Sequence, residues 1–180
     1  MIFWFAYTHD RIQNGVKEET SLIAVRRNML PPTDRRGAQM SLVGGQPLFD
    51  KLVMDEAYDT LFRRLFLEAR SDVVEVIPAR YLQTTPTDLT PVYHEFPDFR
   101  HDRDFILFVD VGNNYPPQYR KSIDTKIQEF LICRICYKWF ETKLPEDAAT
   151  FFSRAEKAKD SILNLLNKRK GGMERMPSYP

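Results

Sequence analysis

Histidine, cysteine and glycine are scarce in this chain: three, two and seven among 180 residues. A structural zinc site takes roughly four Cys or His ligands, and His9, His94 and His101 stand far from the cysteine pair with no ligand spacing to it. Cys133 and Cys136 lie three apart inside a helical pattern, where a disulfide would strain the backbone. They also lack the helix N-terminus that activates a thioredoxin-type pair. Two small buried side chains in a reducing compartment are the expectation. The nearest approach to a phosphate-binding turn, Asp110-Val111-Gly112-Asn113, has no glycine-rich loop or partner motif beside it.

Charge of one sign is lacking too. With 26 Lys+Arg against 25 Asp+Glu the net charge is +1, which argues against a surface that grips nucleic acid everywhere. No apolar run reaches the about 20 residues that span a bilayer. The start, Met1-Ile2-Phe3-Trp4-Phe5-Ala6-Tyr7, is apolar but short, has no basic beginning, and reads as no secretion signal. The expectation is a soluble protein made inside the cell, with no cofactor, no metal and no membrane.

Aromatic residues, by contrast, are plentiful. There are 13 Phe, and the 12 Pro outnumber glycine, a ratio that suits stiff extended arms better than flexible linkers. The most informative stretch is Phe130 to Phe140, apolar on nearly every face with only Arg134 and Lys138 breaking it. A helix apolar all round must be covered all round. It therefore reads as the centre of a bundle, its cover supplied by its own domain or in part by a neighbouring chain.

Around that centre the chain divides into an aromatic N-terminal arm (1–15), a helical domain (16–170) and a C-terminal tail (171–180). Asn14-Gly15 interrupts the first helical pattern, which predicts a helix over 16–28 ended by Pro31-Pro32. Residues 31–46 read as an irregular connection. Spacings of three and four from Leu48 to Ile77 predict an amphipathic helix, closed by Pro78. Val92 to Phe96 alternates and Asp104 to Val111 reads as a good strand, and with the turn between them they predict a β-hairpin near 92–111. Helices are predicted over 119–143 and 145–169, the second started by Pro145 with Glu146 and Asp147 in its first turn. Their tight connection makes an antiparallel hairpin. The fold class is mainly α: a helical bundle with long antiparallel helices, an inserted β-hairpin and extended termini.

Asp98, Asp102, Asp104 and Asp110 cluster around a strand as magnesium-binding carboxylates of nucleases do, yet the companion lysine is missing. A polar hairpin tip explains them as well. Arg26-Arg27, Arg35-Arg36 and Lys168-Arg169-Lys170 suit solvated helix ends and loops, or phosphate contacts. Arg134 and Lys138 share one stripe, where they snorkel, pair with Glu129, Glu141 or Glu146, or reach another subunit. Ile2-Phe3-Trp4-Phe5 is either a strand of the domain or an anchor set into a neighbour.

The order helix, loop, long helix, β-hairpin, long helix, Pro-Glu-started helix, tail resembles the small head–tail connector (adaptor or neck) proteins of tailed bacteriophages. The local likeness rests on Cys136-Tyr137-Lys138-Trp139-Phe140-Glu141-Thr142-Lys143-Leu144-Pro145-Glu146-Asp147-Ala148-Ala149, with 55–80 as the second supporting stretch. The resemblance implies a non-enzymatic virion protein at the neck: a ring of about twelve identical subunits below the portal, with an axial channel for DNA. It implies portal, tail and neck proteins as partners. The expected contact residues are Phe3, Trp4, Phe5, Pro31, Pro32, Arg35, Arg36, Arg134, Lys138, Trp139 and Tyr179. The rivals are a metal-dependent nuclease using the aspartates of 98–110 and a nucleic-acid-binding regulator using the basic tail.

Overall fold

The computed structural model describes residues 1–29, 42–43, 46–47, 52–84, 100, 103–113 and 115–168. In chain order these form strand β1 (Ile2–Tyr7), helix α1 (His9–Met29), the two-residue strands β2 (Leu42–Val43) and β3 (Gln46–Pro47), helix α2 (Asp59–Val76), strand β4 (Phe105–Asp110), and helices α3 (Arg120–Phe140) and α4 (Pro145–Leu166). The fold is mainly helical. Its four helices accompany an antiparallel sheet of β1 and β4, and β2 pairs with β3 over two residues inside the stretch expected to be irregular.

The aromatic start is a strand of the domain itself. Phe3, Phe5 and Tyr7 stand opposite Val109, Leu107 and Phe105, and all six are buried. The alternate residues Trp4 and Ala6 share the other face with Phe108 and Ile106. This replaces the expected arm over 1–15; of the expected local hairpin near 92–111, the strand β4 is present and pairs with β1, about a hundred residues upstream. The Val92 to Phe96 half of that hairpin falls outside the described residues.

Helix α1 begins at His9, seven residues before the expected start, and runs through Asn14-Gly15 unbroken. A helix-interior glycine costs up to about 1 kcal/mol against alanine. Here the missing side chain lets α1 approach α3, because a Cβ on Gly15 would come within 2.5 Å of Ile132 Cδ1. The amphipathic helix starts late, at Asp59, after one tight turn over Glu56–Tyr58 capped by the Asp55 side chain. Ahead of it, Leu52, Val53 and Met54 are buried. Thr20 Oγ1 accepts from Met54 N (3.1 Å) and Trp139 Nε1 donates to the Leu52 carbonyl (2.7 Å), which docks this segment onto α1 and α3.

Helix α3 meets α1, α2, α4 and β1. Ile123, Ile127, Phe130, Leu131, Cys133, Ile135, Cys136, Trp139 and Phe140 are all buried by the chain's own elements. The all-round apolar helix is therefore covered without a neighbour. Arg134 does not reach any of the glutamates considered for it: it leaves the core sideways to Asp72 on α2, its Nε 2.7 Å from Oδ2. Lys138 pairs with Glu141 at 3.5 Å.

After α3, Lys143 and Leu144 N–H groups return to the Phe140 carbonyl at 3.0 and 2.8 Å, and Pro145 opens α4. Asp147, buried in the first turn of α4, accepts from both arginines at the end of α1. Arg27 gives Nε and Nη2 to Oδ2 at 2.9 and 2.6 Å, and Arg26 donates to Oδ1. The Arg26-Arg27 pair is thus a clamp rather than a solvated helix end. It sets a basic helix C-terminus against an acidic helix N-terminus, favourable for both dipoles.

The crossing at Gly15 is open to a double-mutant cycle. Gly15→Ala is expected to lower stability by about 1 kcal/mol in the wild-type chain, since Ile132 must move. In an Ile132→Val background, which lacks the clashing methyl, the same change should lose most of that penalty and regain helix propensity. Denaturant melts of the four proteins give the coupling. Additive effects would place the two helices further apart than described.

Candidate functional site

The residues where β1 turns into α1 gather a polar cluster that the sequence reading did not single out. The first backbone N–H groups of a helix have no intrahelical partner and favour a nearby carboxylate. For α1 the carboxylate comes from Asp104, just before β4. Its Oδ1 accepts from His9 N at 2.7 Å and its Oδ2 from Arg100 N at 2.6 Å. Asp104 is only 3% exposed. It ties the start of α1 to the entry of β4.

The His9 ring is equally buried, edge-on to Phe62 at 4.8 Å and to Phe66 at 6.3 Å. Its Nε2 makes no hydrogen bond, although Asp59 Oδ1 lies 3.4 Å away. Helix α2 then supplies Arg63, Phe66, Leu67 and Arg70, which at i, i+3, i+4 and i+7 share one face. Together with Arg100 and Arg103 they wall a cleft of about 270 Å³ with His9 at its base. Arg70 lies over the rings of Phe66 (5.8 Å) and Phe105 (5.1 Å). Burial pulls its guanidinium below the usual arginine range, with Asp104 opposing.

In sequence, Arg63 and Arg70 fall largely outside the apolar stripe of α2. The i, i+7 pair flanking an aromatic residue was the available signal. What could not be read locally is that Arg100 and Arg103 come back onto the same face.

The two described aspartates of the nuclease reading, Asp104 and Asp110, do not converge. Asp104 precedes β4 and Asp110 ends it, so the strand separates them by roughly 20 Å at 3.3 Å per residue. Asp110 Oδ1 accepts from Gly112 N at 2.9 Å, with Gly112 at φ 74°, and lies 3.3 Å from the Met1 ammonium. The Gly112 N–H and the terminal amine hold its carboxyl below the usual range. Both carboxylates are engaged in fixing backbone. Asp98 and Asp102 lie outside the described residues, as do His94 and His101. Among the described residues no group of three or more His, Cys, Asp or Glu is arranged to hold a metal ion, and no helix is long and apolar enough to cross a membrane.

The expected contact residues separate into three groups. Phe3, Phe5 and Trp139 are interior, at 5%, 3% and 4% exposed, and so are occupied within the chain. Trp4 is half-buried under the Arg120 guanidinium at 5.0 Å, and Arg134 and Lys138 are held by Asp72 and Glu141. Pro31, Pro32, Arg35, Arg36 and Tyr179 lie outside the described residues. Of the basic tail, Lys168 rests over the Tyr119 ring at 4.6 Å, and Arg169 and Lys170 are outside. No protein-family model, curated protein or solved structure matches the chain.

Cys133 and Cys136 are free and buried in α3. Burial pushes the Cys133 thiol up to about 11 and holds that of Cys136 well above the ordinary range. At pH 8 a thiol at about 11 is ionised to roughly one part in a thousand. The native protein should therefore leave both thiols unreacted with a disulfide reagent at pH 8, and release both on denaturation. A rapidly reacting native thiol would put that face of α3 at the surface.

Proposed function

We propose that this protein is a non-enzymatic structural component of a tailed-bacteriophage virion, a head–tail connector subunit. In this reading it forms a ring of about twelve copies between portal and tail, closed by head-to-tail contacts between unlike patches and leaving a channel for DNA. The observation that carries the reading is the junction of α3 and α4. The residues of the local likeness, 136–149, span the end of α3, the turn after it and the start of α4, and the α1 arginines grip α4 at Asp147. On this proposal α3 and α4 are the long antiparallel hairpin of a connector, and the tail over 171–180 is an arm that contacts a neighbouring ring.

Two further observations favour it over the rivals. Asp104 and Asp110 are committed to backbone and set far apart along β4, which leaves these two poorly placed to share a metal ion. The large apolar side chains left exposed, among them Leu22 (66%) and Val25 on α1, Leu67 on α2 and Phe152 on α4, lie on different helices. That distribution suits a heterologous contact, which needs two different surfaces on each subunit.

The measurement is the mass of the purified chain over a concentration range, by light scattering or native mass spectrometry, alone and with portal protein. A discrete ring, formed alone or only with portal, is expected, and Leu22→Glu with Phe152→Glu should leave a folded monomer. A monomer indifferent to concentration and portal contradicts the proposal, and magnesium-dependent nuclease activity would replace it.

A further inference from the structure

The cleft between α2 and the entry to β4 collects more positive charge than its own acids occupy. Arg63 is held by Asp59 at 2.9 Å and Arg103 stands 3.8 Å from Asp10. Asp104 has both oxygens on backbone N–H groups. Among the described residues, Arg70 and Arg100 have no carboxylate within ion-pair distance. Arg70 has its faces on two phenylalanine rings, an arrangement that desolvates the cation without neutralising it. Two buried nitrogens make no hydrogen bond as well, Arg103 Nε and His9 Nε2, the latter 3.4 Å from the Asp59 carboxylate. Buried polar groups ordinarily find partners, and an orphan beside an open cleft points to an absent ligand.

We propose that this cleft is an oxyanion site that takes a phosphate group. The guanidinium fork matches phosphate oxygens bidentately, and several arginines around one small cleft suit a multiply charged group better than a single carboxylate. The volume of about 270 Å³ lies just under the roughly 300 Å³ at which pockets for drug-sized ligands begin. It fits one phosphate or the end of a longer chain. The phosphate belongs either to a small phosphorylated molecule or to a nucleic-acid backbone. The site stands on its own geometry, independent of whether the chain assembles into a ring.

The test uses the full chain with three probes: inorganic phosphate and pyrophosphate followed by phosphorus NMR, and a short single-stranded oligonucleotide followed by fluorescence anisotropy. Saturable binding is expected, with pyrophosphate ahead of phosphate and acetate well behind both. Arg63→Gln with Arg100→Gln should weaken it about a hundredfold, each lost charge-assisted bond contributing about tenfold. Arg70 is left intact because it also packs on Phe66 and Phe105, and circular dichroism should show the variant folded. Lys121→Gln, an exposed change on α3, should leave binding as it was. If the oligonucleotide binds best and the double variant lowers its salt slope by about one per arginine, the source is nucleic acid. If pyrophosphate binds as well as the oligonucleotide, the source is a small phosphorylated molecule. No saturable binding of any probe, acetate equal to phosphate, or binding untouched by the double variant would overturn the assignment.

Discussion

A stretch of helix with no polar face, Phe130 to Phe140 of α3, dictates the rest of this structure. That stretch can stay in water only if every side is covered, and α4, α1, α2 and β1 all pack against α3. The cover is close enough that α1 carries a glycine where it crosses Ile132. Polar ties sit at the margins of the contact and hold the coverings in register. Arg134 reaches Asp72, the Trp139 indole reaches the Leu52 carbonyl, and Arg154 forks onto Glu19 at 3.0 and 2.8 Å. Deleting any of these leaves the apolar surface buried but loosens where it is buried, a distinction between stability and specificity.

The same demand explains the corner at His9. Closing α3 from the sheet side requires β1 to pair with β4 and the chain to turn at once into α1. The exposed N–H of that turn is met by Asp104. Fixing Asp104 brings Arg100 and Arg103 against α2, where Arg63 and Arg70 already share a face. A concentration of guanidinium groups follows from the topology, and charge held in one place can be used. The connector reading and the phosphate site are compatible, since a neck protein works beside DNA, yet neither needs the other.

Local pattern carried much of this into view. The apolar periodicity of α2, the Pro145 start of α4 and the strand at Phe105 to Asp110 all follow from residues within one or two turns of each other. What escaped is long-range. The apolar run of β4 is as good a partner for β1 as for Val92 to Phe96, and a turn signal between the nearer pair favours the local choice. Gly15 looked like an interruption because its reason, Ile132, lies far down the chain. Trp139 looked like an anchor for a neighbour because aromatic residues serve both interfaces and cores. Only the Leu52 carbonyl at its indole nitrogen decides the matter. Arg26 and Arg27 meet Asp147 across about 120 residues, a pairing that no spacing rule contains.

Native-state hydrogen exchange along α3 tests the central claim, that this chain covers its own apolar helix. The amides of 127–139 should exchange only through global unfolding, at one rate in dilute and in concentrated protein. Fast exchange there in dilute protein, slowing as concentration rises, would contradict it and assign part of the cover to another subunit.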